Sequence, residues 1–215
     1  GRAGGVRARN LKSRQPDAVE EYFAPAIVSN VGATNTYLQL LPQEVPIPFR
    51  DDLEQYISQH SPATNVSLYV GFADSPEKLG FHGENHWIYA DFKHEPIPQQ
   101  SDQLLQGQPQ HIYMSFPSLK DPEHAKPTAE LLSMAEYDAF APWRSQTWQH
   151  RDKHYQELKQ QIQQGLIETV EKHYPGFADL VAYAELSTPL TNEHFTNHPQ
   201  GAIYGMPYSA ARLAP

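Results

Sequence analysis

Three pairs of histidines lie four residues apart in the sequence, a spacing that can place two imidazole rings on one face of a helix. The pairs are His82–His86, His150–His154 and His194–His198. Zinc sites combine such a pair with a third ligand. In metalloproteases, a glutamate also directly follows the first histidine. No such glutamate follows any of the three, and the spacing nominates no third ligand. We therefore predict no metal site.

Other catalytic motifs are missing as well. The chain has serine, histidine and aspartate but no Gly-x-Ser-x-Gly nucleophile turn. It has neither a Gly-x-Gly-x-x-Gly dinucleotide turn nor a Gly-x-x-x-x-Gly-Lys-Ser/Thr phosphate loop. With no cysteine, disulfides and thiolate chemistry are excluded, which fits a reducing compartment.

Charge and length narrow the class of protein further. The 215 residues carry a net charge of −9, which argues against a nucleic-acid partner because such proteins present a basic face. No apolar run approaches the roughly 20 residues of a membrane span. We expect a cytoplasmic protein that can make peripheral membrane contact. The chain starts at Gly1 without a methionine, and we expect it to be a piece of a longer protein.

Hydrophobic periodicity predicts the elements that would position any site. Apolar residues at every second position, or short apolar runs, predict strands at residues 6–8, 25–30, 65–72, 86–92, 111–117, 128–137, 180–186 and 201–205. A stripe repeating every three to four residues predicts one long helix over 145–174, roughly 45 Å long. Shorter helices are expected at 34–41 and 51–60, a loop at 11–23, and a proline-rich linker at 42–48. The order indicates an α+β fold whose largely antiparallel, mixed sheet is covered by the long helix.

The predicted strands are rich in aromatic residues. They carry Tyr69, Trp87, Tyr89, Phe92, Tyr113, Phe116 and Tyr137. Alternation sends some of these side chains to the core and others to the opposite face of the sheet, where a flat apolar ligand could bind. Ordinary packing beneath the long helix explains the same pattern, so both interpretations stay open.

Three segments resemble one group of flavin-dependent oxidoreductases. They are "IVSNVGATNTYLQLLP" at 27–42, "FPSLKDPEHAKPTAELLSMAEYDAFAPW" at 116–143 and "ELSTPLTNEHFTNHPQGAIYG" at 185–205. In this order they are similar to the retinol saturase and carotenoid isomerase branch, which is related to phytoene desaturase. The resemblance covers almost the whole chain.

The resemblance implies an architecture like that of amine oxidases, in which a flavin domain is interleaved with a substrate domain. Residues 1–42 then belong to the edge of the flavin domain, 43–200 form the substrate domain, and 201–215 return toward the flavin. The full-length protein would bind FAD. None is expected to stay on this piece, which lacks the phosphate-binding turn and which we expect to be inactive alone.

The resemblance also implies roles for particular residues. Flavin-proximal positions are Asn30, Gly32, Gly201 and Gly205, and the glycines would let backbone approach a planar ring. Tyr204 is the candidate proton donor, because its side chain alone in that run can give a proton. The candidate substrate-binding residues are Tyr69, Tyr89, Phe116 and Tyr137.

Two functions follow from these expectations. The first is the substrate domain of an FAD-dependent enzyme that saturates, desaturates or isomerises double bonds of polyenes such as carotenoids or retinoids. The alternative is a non-catalytic binding module for an apolar ligand. In either case we expect an apolar partner, no nucleic acid, and a tendency of the isolated piece to self-associate through exposed apolar surface.

Overall fold

The computed structural model describes residues 2–10, 18–92, 97–121, 123 and 126–213. Contacts divide the chain into two compact units, Gly1–Ser58 and Gln59–Pro215. The break after Ser58 differs from the boundaries at 42/43 and 200/201. The boundaries at 42/43 and 200/201 separate the predicted flavin-domain segments from the predicted substrate domain, and this assignment remains a prediction.

The first unit begins with an antiparallel pair, β1 (Gly5–Arg9) and β2 (Val19–Phe23), joined across the sheet by an Arg7–Glu21 ion pair of 2.8 Å. Part of the predicted 11–23 loop is therefore strand, and its residues 11–17 lie outside the described residues. The strand predicted at 25–30 is wrong. That segment forms no strand and leaves Val28 91% exposed, so it buries too little apolar surface to be a core strand.

Two helices complete the first unit. A short π-helix spans Asn35–Leu40, and α1 spans Arg50–Gln59, close to the helices predicted at 34–41 and 51–60. Asp51 and Asp52 in the first turn of α1 complement the positive end of the helix dipole.

The second unit is built on a five-stranded sheet with the order β4-β5-β6-β3-β7, in which every described pairing is antiparallel. The strands are β3 (Asn65–Phe72), β4 (His86–Tyr89), β5 (His111–Ser115), β6 (Thr128–Met134) and β7 (Val181–Ser187). The helices are α2 (Ile97–Leu105), α3 (Pro117–Lys120), α4 (Lys153–His173), α5 (Phe177–Leu180), α6 (Pro189–Thr196) and α7 (Ala210–Leu213). The predicted α+β class is confirmed.

Alternation along β3 shows which face of this sheet is the core. Val66, Leu68 and Val70 are at most 2% exposed and lie on one face. Cross-strand partners continue that face, since Leu68 is opposite Leu131 on β6 and Leu186 on β7. The core therefore runs across the sheet and beneath α4.

Helix α4 supplies the other side of this core, as predicted, but it is shorter than the periodicity indicates. It has 21 residues, about 31 Å at 1.5 Å per residue. The Asp152 side chain accepts a hydrogen bond from the Tyr155 amide and fixes the first turn, so Trp148 and His150 precede the helix. Its fully buried stripe includes Ile162, Leu166 and Val170.

One contact of α4 is exceptionally close. A Cβ atom on Gly165 would lie 2.1 Å from the carbonyl oxygen of Gly107, in the turn that follows α2. Only glycine lets the two backbones approach this closely. Sequence periodicity does not reveal α2, because its residues lie in a Pro- and Gln-rich stretch typical of a loop.

In the second unit, three predicted strands end early and another does not form. Phe92, Phe116 and Tyr137 lie beyond the ends of β4, β5 and β6. The strand predicted at 201–205 is wrong, because a 3₁₀ turn (Pro199–Gly201) and bends occupy it, with Gly201 and Gly205 at positive φ. Across the described residues, no helix is long and apolar enough to cross a membrane.

Candidate functional site

The face of the sheet opposite the core carries a mixture of aromatic and polar side chains, and we call it the outer face. By strand alternation and register, its side chains are those of Asn65, Ser67, Tyr69, Trp87, Tyr89, His111, Tyr113, Ser115, Thr128, Glu130, Leu132, Met134, Tyr183, Glu185 and Ser187. Sheets that face water usually show a polar second face. The aromatic content of this one marks it as a candidate binding surface.

Aromatic rings gather at the β4 end of the outer face. Trp87 contacts Tyr113 with ring centroids 4.9 Å apart, and it stacks on Tyr89 at 6.4 Å with a 12° angle between planes. Trp87 is 60% exposed. Leu132 lies beside Tyr113 on the next strand, so the apolar surface continues toward the middle of the sheet.

A buried chain of hydrogen bonds reaches the outer face from the β7 end of the sheet, opposite the aromatic cluster at the β4 end. Ser187 Oγ donates to Asn192 Oδ1 at 3.3 Å, and Asn192 Nδ2 donates to Asn65 Oδ1 at 3.2 Å. Asn65 Nδ2 then donates to Ser67 Oγ at 2.9 Å. The Ser67 hydroxyl is also close enough to the Glu130 carboxyl and to the Tyr69 hydroxyl to lower the pKa of both groups.

Glu130 lies at the point where the polar chain meets the aromatic surface. It occupies the middle strand of the sheet, directly opposite Tyr69 on β3 and Ser115 on β5. Burial raises the pKa of the Glu130 carboxyl, and the hydrogen bond from Ser67 acts in the other direction. Burial is the larger of two causes that raise the pKa of Tyr69, and the charge of Glu130 is the smaller. On the neighbouring strand, Ser115 Oγ accepts a hydrogen bond from Lys120 Nζ at 2.7 Å.

His111 links the outer face to α2. Its Nε2 accepts a hydrogen bond from the Met134 amide at 3.0 Å, so the proton of the neutral ring is on Nδ1, which donates to Gln100 Oε1 at 2.8 Å. Burial lowers the pKa of this histidine. Both ring nitrogens are therefore engaged in holding α2 against the sheet.

The four predicted substrate-binding residues fall into two groups. Tyr69 and Tyr89 lie on the outer face, 48% and 46% exposed. Phe116 is fully buried in the core, 4.3 Å from Phe81 between ring centroids, and contributes no surface to a ligand. The aromatic pattern alone could not separate these groups, because Phe116 follows the last residue of its strand.

Tyr137 has a different environment. It is 7% exposed, and its hydroxyl donates to Glu193 Oε2 at 2.7 Å, while Arg144 binds the other carboxylate oxygen at 2.8 Å. Burial first, and then this carboxylate, raise the pKa of Tyr137. Tyr137 also lines a pocket of about 400 Å³ together with Thr64, Ile97, Gln200 and Tyr208.

The candidate proton donor Tyr204 lies in the bends of 203–206 and is 69% exposed. Gly201 follows α6 so closely that a Cβ atom would sit 2.2 Å from the carbonyl oxygen of Pro189. Packing against α6 therefore requires glycine at 201 independently of any cofactor. At Gly205 a Cβ atom would meet nothing within 4 Å, and a φ of +74° alone favours glycine.

Asn30 and Gly32 belong to the first unit. Asn30 is exposed, and the Gly32 carbonyl accepts hydrogen bonds from the amide (3.0 Å) and hydroxyl (2.7 Å) of Thr36 at the start of the π-helix. The open space at Gly205 suits a position beside a planar ring. The sequence has no Gly-x-Gly-x-x-Gly turn for the phosphates of FAD, and a flavin beside these residues remains a prediction.

Two of the paired histidines contact aromatic side chains, and a helix end interrupts one of the pairs. His86 Nδ1 lies 2.8 Å from the Tyr174 hydroxyl on the core side, and His194 stacks on Trp148. Asn197, in the left-handed conformation, ends α6 between His194 and His198. Within the described residues, no group of three or more His, Asp or Glu side chains is placed to hold a metal ion.

Sequence reasoning missed Glu130 and the polar chain that reaches it through Asn192, Asn65 and Ser67. A usable signal was present. Glu130 alternates with Ala129 and Leu131 in a predicted strand, as Ser67 does with Val66 and Leu68, so both polar side chains had to face away from the core.

No protein-family model matches this chain. It is 29% identical over 203 residues to all-trans-retinol 13,14-reductase of Danio rerio, covering 89% of this chain and 33% of the relative. The reductase of the same name from Rattus norvegicus is 25% identical over 219 residues, covering 97% and 36%. Prolycopene isomerase, chloroplastic, of Arabidopsis thaliana is 24% identical over 211 residues, covering 96% and 31%.

These relatives confirm the resemblance that the three segments indicate. The homologues of this chain include reductases named for a retinoid and isomerases named for a carotenoid. The chain spans about a third of the length of the curated relatives it matches.

Proposed function

We propose that this chain is the substrate-domain portion of an FAD-dependent oxidoreductase or isomerase that acts on polyenes, and that the outer face is the wall against which the polyene lies. The homology to a retinol reductase and a prolycopene isomerase supports the substrate class. Apolar polyene binding, FAD in the longer protein, the cytoplasmic location and peripheral membrane contact all remain predictions.

The observation that carries the proposal is the aromatic surface formed by Trp87, Tyr89 and Tyr113 on the outer face. Flat rings offer large apolar contact area to a flat, conjugated ligand. Four spacings of about 4.8 Å between five strands make the sheet about 19 Å wide, enough for an extended chain to cross several strands.

The flavin would supply hydride chemistry when bound in the longer protein. The residues of this chain would orient the polyene and exclude water from one side of it. Tyr69 and Leu132, in the middle of the sheet, connect the aromatic cluster to Glu130 and so extend the wall to a group that can exchange a proton.

Binding to the isolated chain tests the wall. All-trans-retinol should quench tryptophan fluorescence, and Trp87→Leu should weaken binding roughly two- to tenfold, because an aromatic contact contributes about 0.5–1.5 kcal/mol. The matched control is Trp148→Leu, which removes a tryptophan stacked on His194, off the sheet. Equal affinities of both variants and the wild-type chain would refute the assignment of the wall.

The carrier alternative predicts the same binding, so a second measurement separates the two. The protein expressed from its complete gene should show a flavin absorption spectrum and convert a bound polyene. Polyene binding by that protein without flavin and without conversion would favour the non-catalytic binding module.

A further inference from the structure

Beyond binding, the structure assigns Glu130 the role of the acid that donates a proton to the bound polyene. This inference rests on the proposed function. It replaces Tyr204, which is 69% exposed and lies off the sheet, as the proton donor. Three features of the Glu130 environment carry the inference.

The first feature is position. Glu130 is on β6, the middle strand of the sheet, and its side chain is on the outer face beside Tyr69. A ligand that crosses the sheet from Trp87 and Tyr113 passes over Leu132, and Glu130 is the next side chain on the same face of that strand, two residues before Leu132. The acid therefore lies along the path of the ligand.

The second feature is support. The hydrogen-bond chain from Ser187 through Asn192 and Asn65 ends at Ser67, whose hydroxyl lies near the Glu130 carboxyl and lowers its pKa. Asn65, Ser67 and Ser187 are each at most 7% exposed. This buried chain fixes the Ser67 hydroxyl beside Glu130, and a fixed polar neighbour helps to orient a catalytic acid.

The third feature is the scarcity of compensating charge. The titratable and charged groups facing Glu130 are Tyr69 on β3, Glu185 beyond Tyr69 on β7, and Lys120 of α3, which reaches Ser115. Lys159 of α4 is bound to Glu185 at 2.8 Å. Of the contacts described for Glu130, none is a direct ion pair. Burial on a partly apolar surface therefore favours its protonated form, as the raised pKa reflects.

The chemical step balances with a hydride donor of the dihydroflavin class. Saturation of a C=C bond adds a hydride to one carbon and a proton to the other. Glu130 supplies the second of these: its O–H bond breaks, a C–H bond forms on the polyene, and a carboxylate remains. Solvent water returns the proton to the carboxylate for the next turnover.

The first test needs only this chain. Carbon-13 NMR of carboxyl-labelled glutamate should show one resonance that titrates above the ordinary glutamate pKa of about 4.3. That resonance should vanish in Glu130→Gln and persist in Glu168→Gln, the control on the exposed side of α4. If the resonance lost in Glu130→Gln titrates at or below the ordinary value, the assignment is overturned.

The second test uses the full-length, FAD-loaded protein. Glu130→Gln should slow saturation about 10²- to 10⁴-fold, the usual contribution of a general acid, while changing polyene affinity less than twofold. Glu130→Asp, which keeps the acid, should recover part of the rate. The wild-type rate should fall as pH rises through the pKa of Glu130, and this dependence should disappear in Glu130→Gln.

The outcomes distinguish this inference from the proposed function on which it rests. If the wild-type protein binds no polyene, both fail. If polyene binds and is converted but Glu130→Gln retains the wild-type rate, the proposed function stands and the role of Glu130 is refuted. Loss of polyene binding in a correctly folded Glu130→Gln variant would also overturn it, because the residue would then be a binding group.

Discussion

Replacing Gly165 with alanine tests how closely α4 packs against the turn after α2. In an isolated helix this change is favourable by about 1 kcal/mol, because glycine is the poorer helix former. In this fold the added Cβ would stand 2.1 Å from the Gly107 oxygen and 2.6 Å from its Cα atom. Both contacts are with backbone, so neither can be relieved by a side-chain rotation.

The magnitude follows from the balance of these two effects. Overpacking in a filled interior costs about 1–3 kcal/mol and sometimes more, and a clash between two backbones falls at the upper end. Subtracting the helix-propensity gain leaves a net loss of about 2 kcal/mol in the free energy of unfolding. For a chain of this size, that loss lowers Tm by about 4–8 °C.

Thermal unfolding followed by circular dichroism, with urea unfolding for the free energy, measures the effect. Gln164→Ala is the matched control, since it changes the neighbouring exposed residue of the same helix and removes only a 2.8 Å bond to Glu168. The control should stay within about 0.5 kcal/mol of the wild-type protein. An increase in Tm for Gly165→Ala would show that the two backbones are not in contact, and the packing argument would be refuted.

Two further substitutions test polar contacts of the second unit. Tyr137→Phe should cost about 2 kcal/mol at neutral pH, since it removes a buried hydrogen bond to the Glu193 carboxylate. Because the folded state raises the pKa of Tyr137, the wild-type advantage is full below the unfolded value of about 10 and shrinks at higher pH; urea unfolding on both sides of pH 10 checks this. Asp152→Ala should lower Tm because it removes the N-cap of α4. Hydrogen bonds from Gln146 and then the Tyr155 amide depress the pKa of Asp152. Its contribution to stability should therefore be present above the unfolded pKa of about 3.9 and be lost as pH falls below it. If the difference in Tm between the wild-type protein and Asp152→Ala stayed constant over acidic pH, this expectation would be contradicted.

Periodicity predicted most of the fold because burial on one face dictates it. The alternation of Val66, Leu68 and Val70 predicted β3, and the spacing of Ile162, Leu166 and Val170 predicted α4. It failed where another contact decides the structure. Gly201 lies in an apolar run typical of a strand, but close packing on Pro189 turns the chain there.

The candidate site was predicted only in part, because its polar residues depend on cross-strand register. Tyr69 and Tyr89 were expected at a ligand and lie on the outer face. The pairing of Tyr69 with Glu130, which are far apart in sequence, sets the environment of that carboxyl. Single-strand patterns give the direction of each side chain, but they do not give its neighbour on the next strand.

The order of the strands has a consequence for how the second unit folds. Strand β3, which lies between β6 and β7, pairs with β7 so that Ser67 lies opposite Ser187 after more than half of the chain has intervened. Such non-local pairing slows folding, since chain entropy must be lost before the contacts form. During synthesis one edge of β3 must wait for residues 181–187. A nascent or truncated chain that ends before them would expose an apolar strand edge, and it would be prone to aggregate.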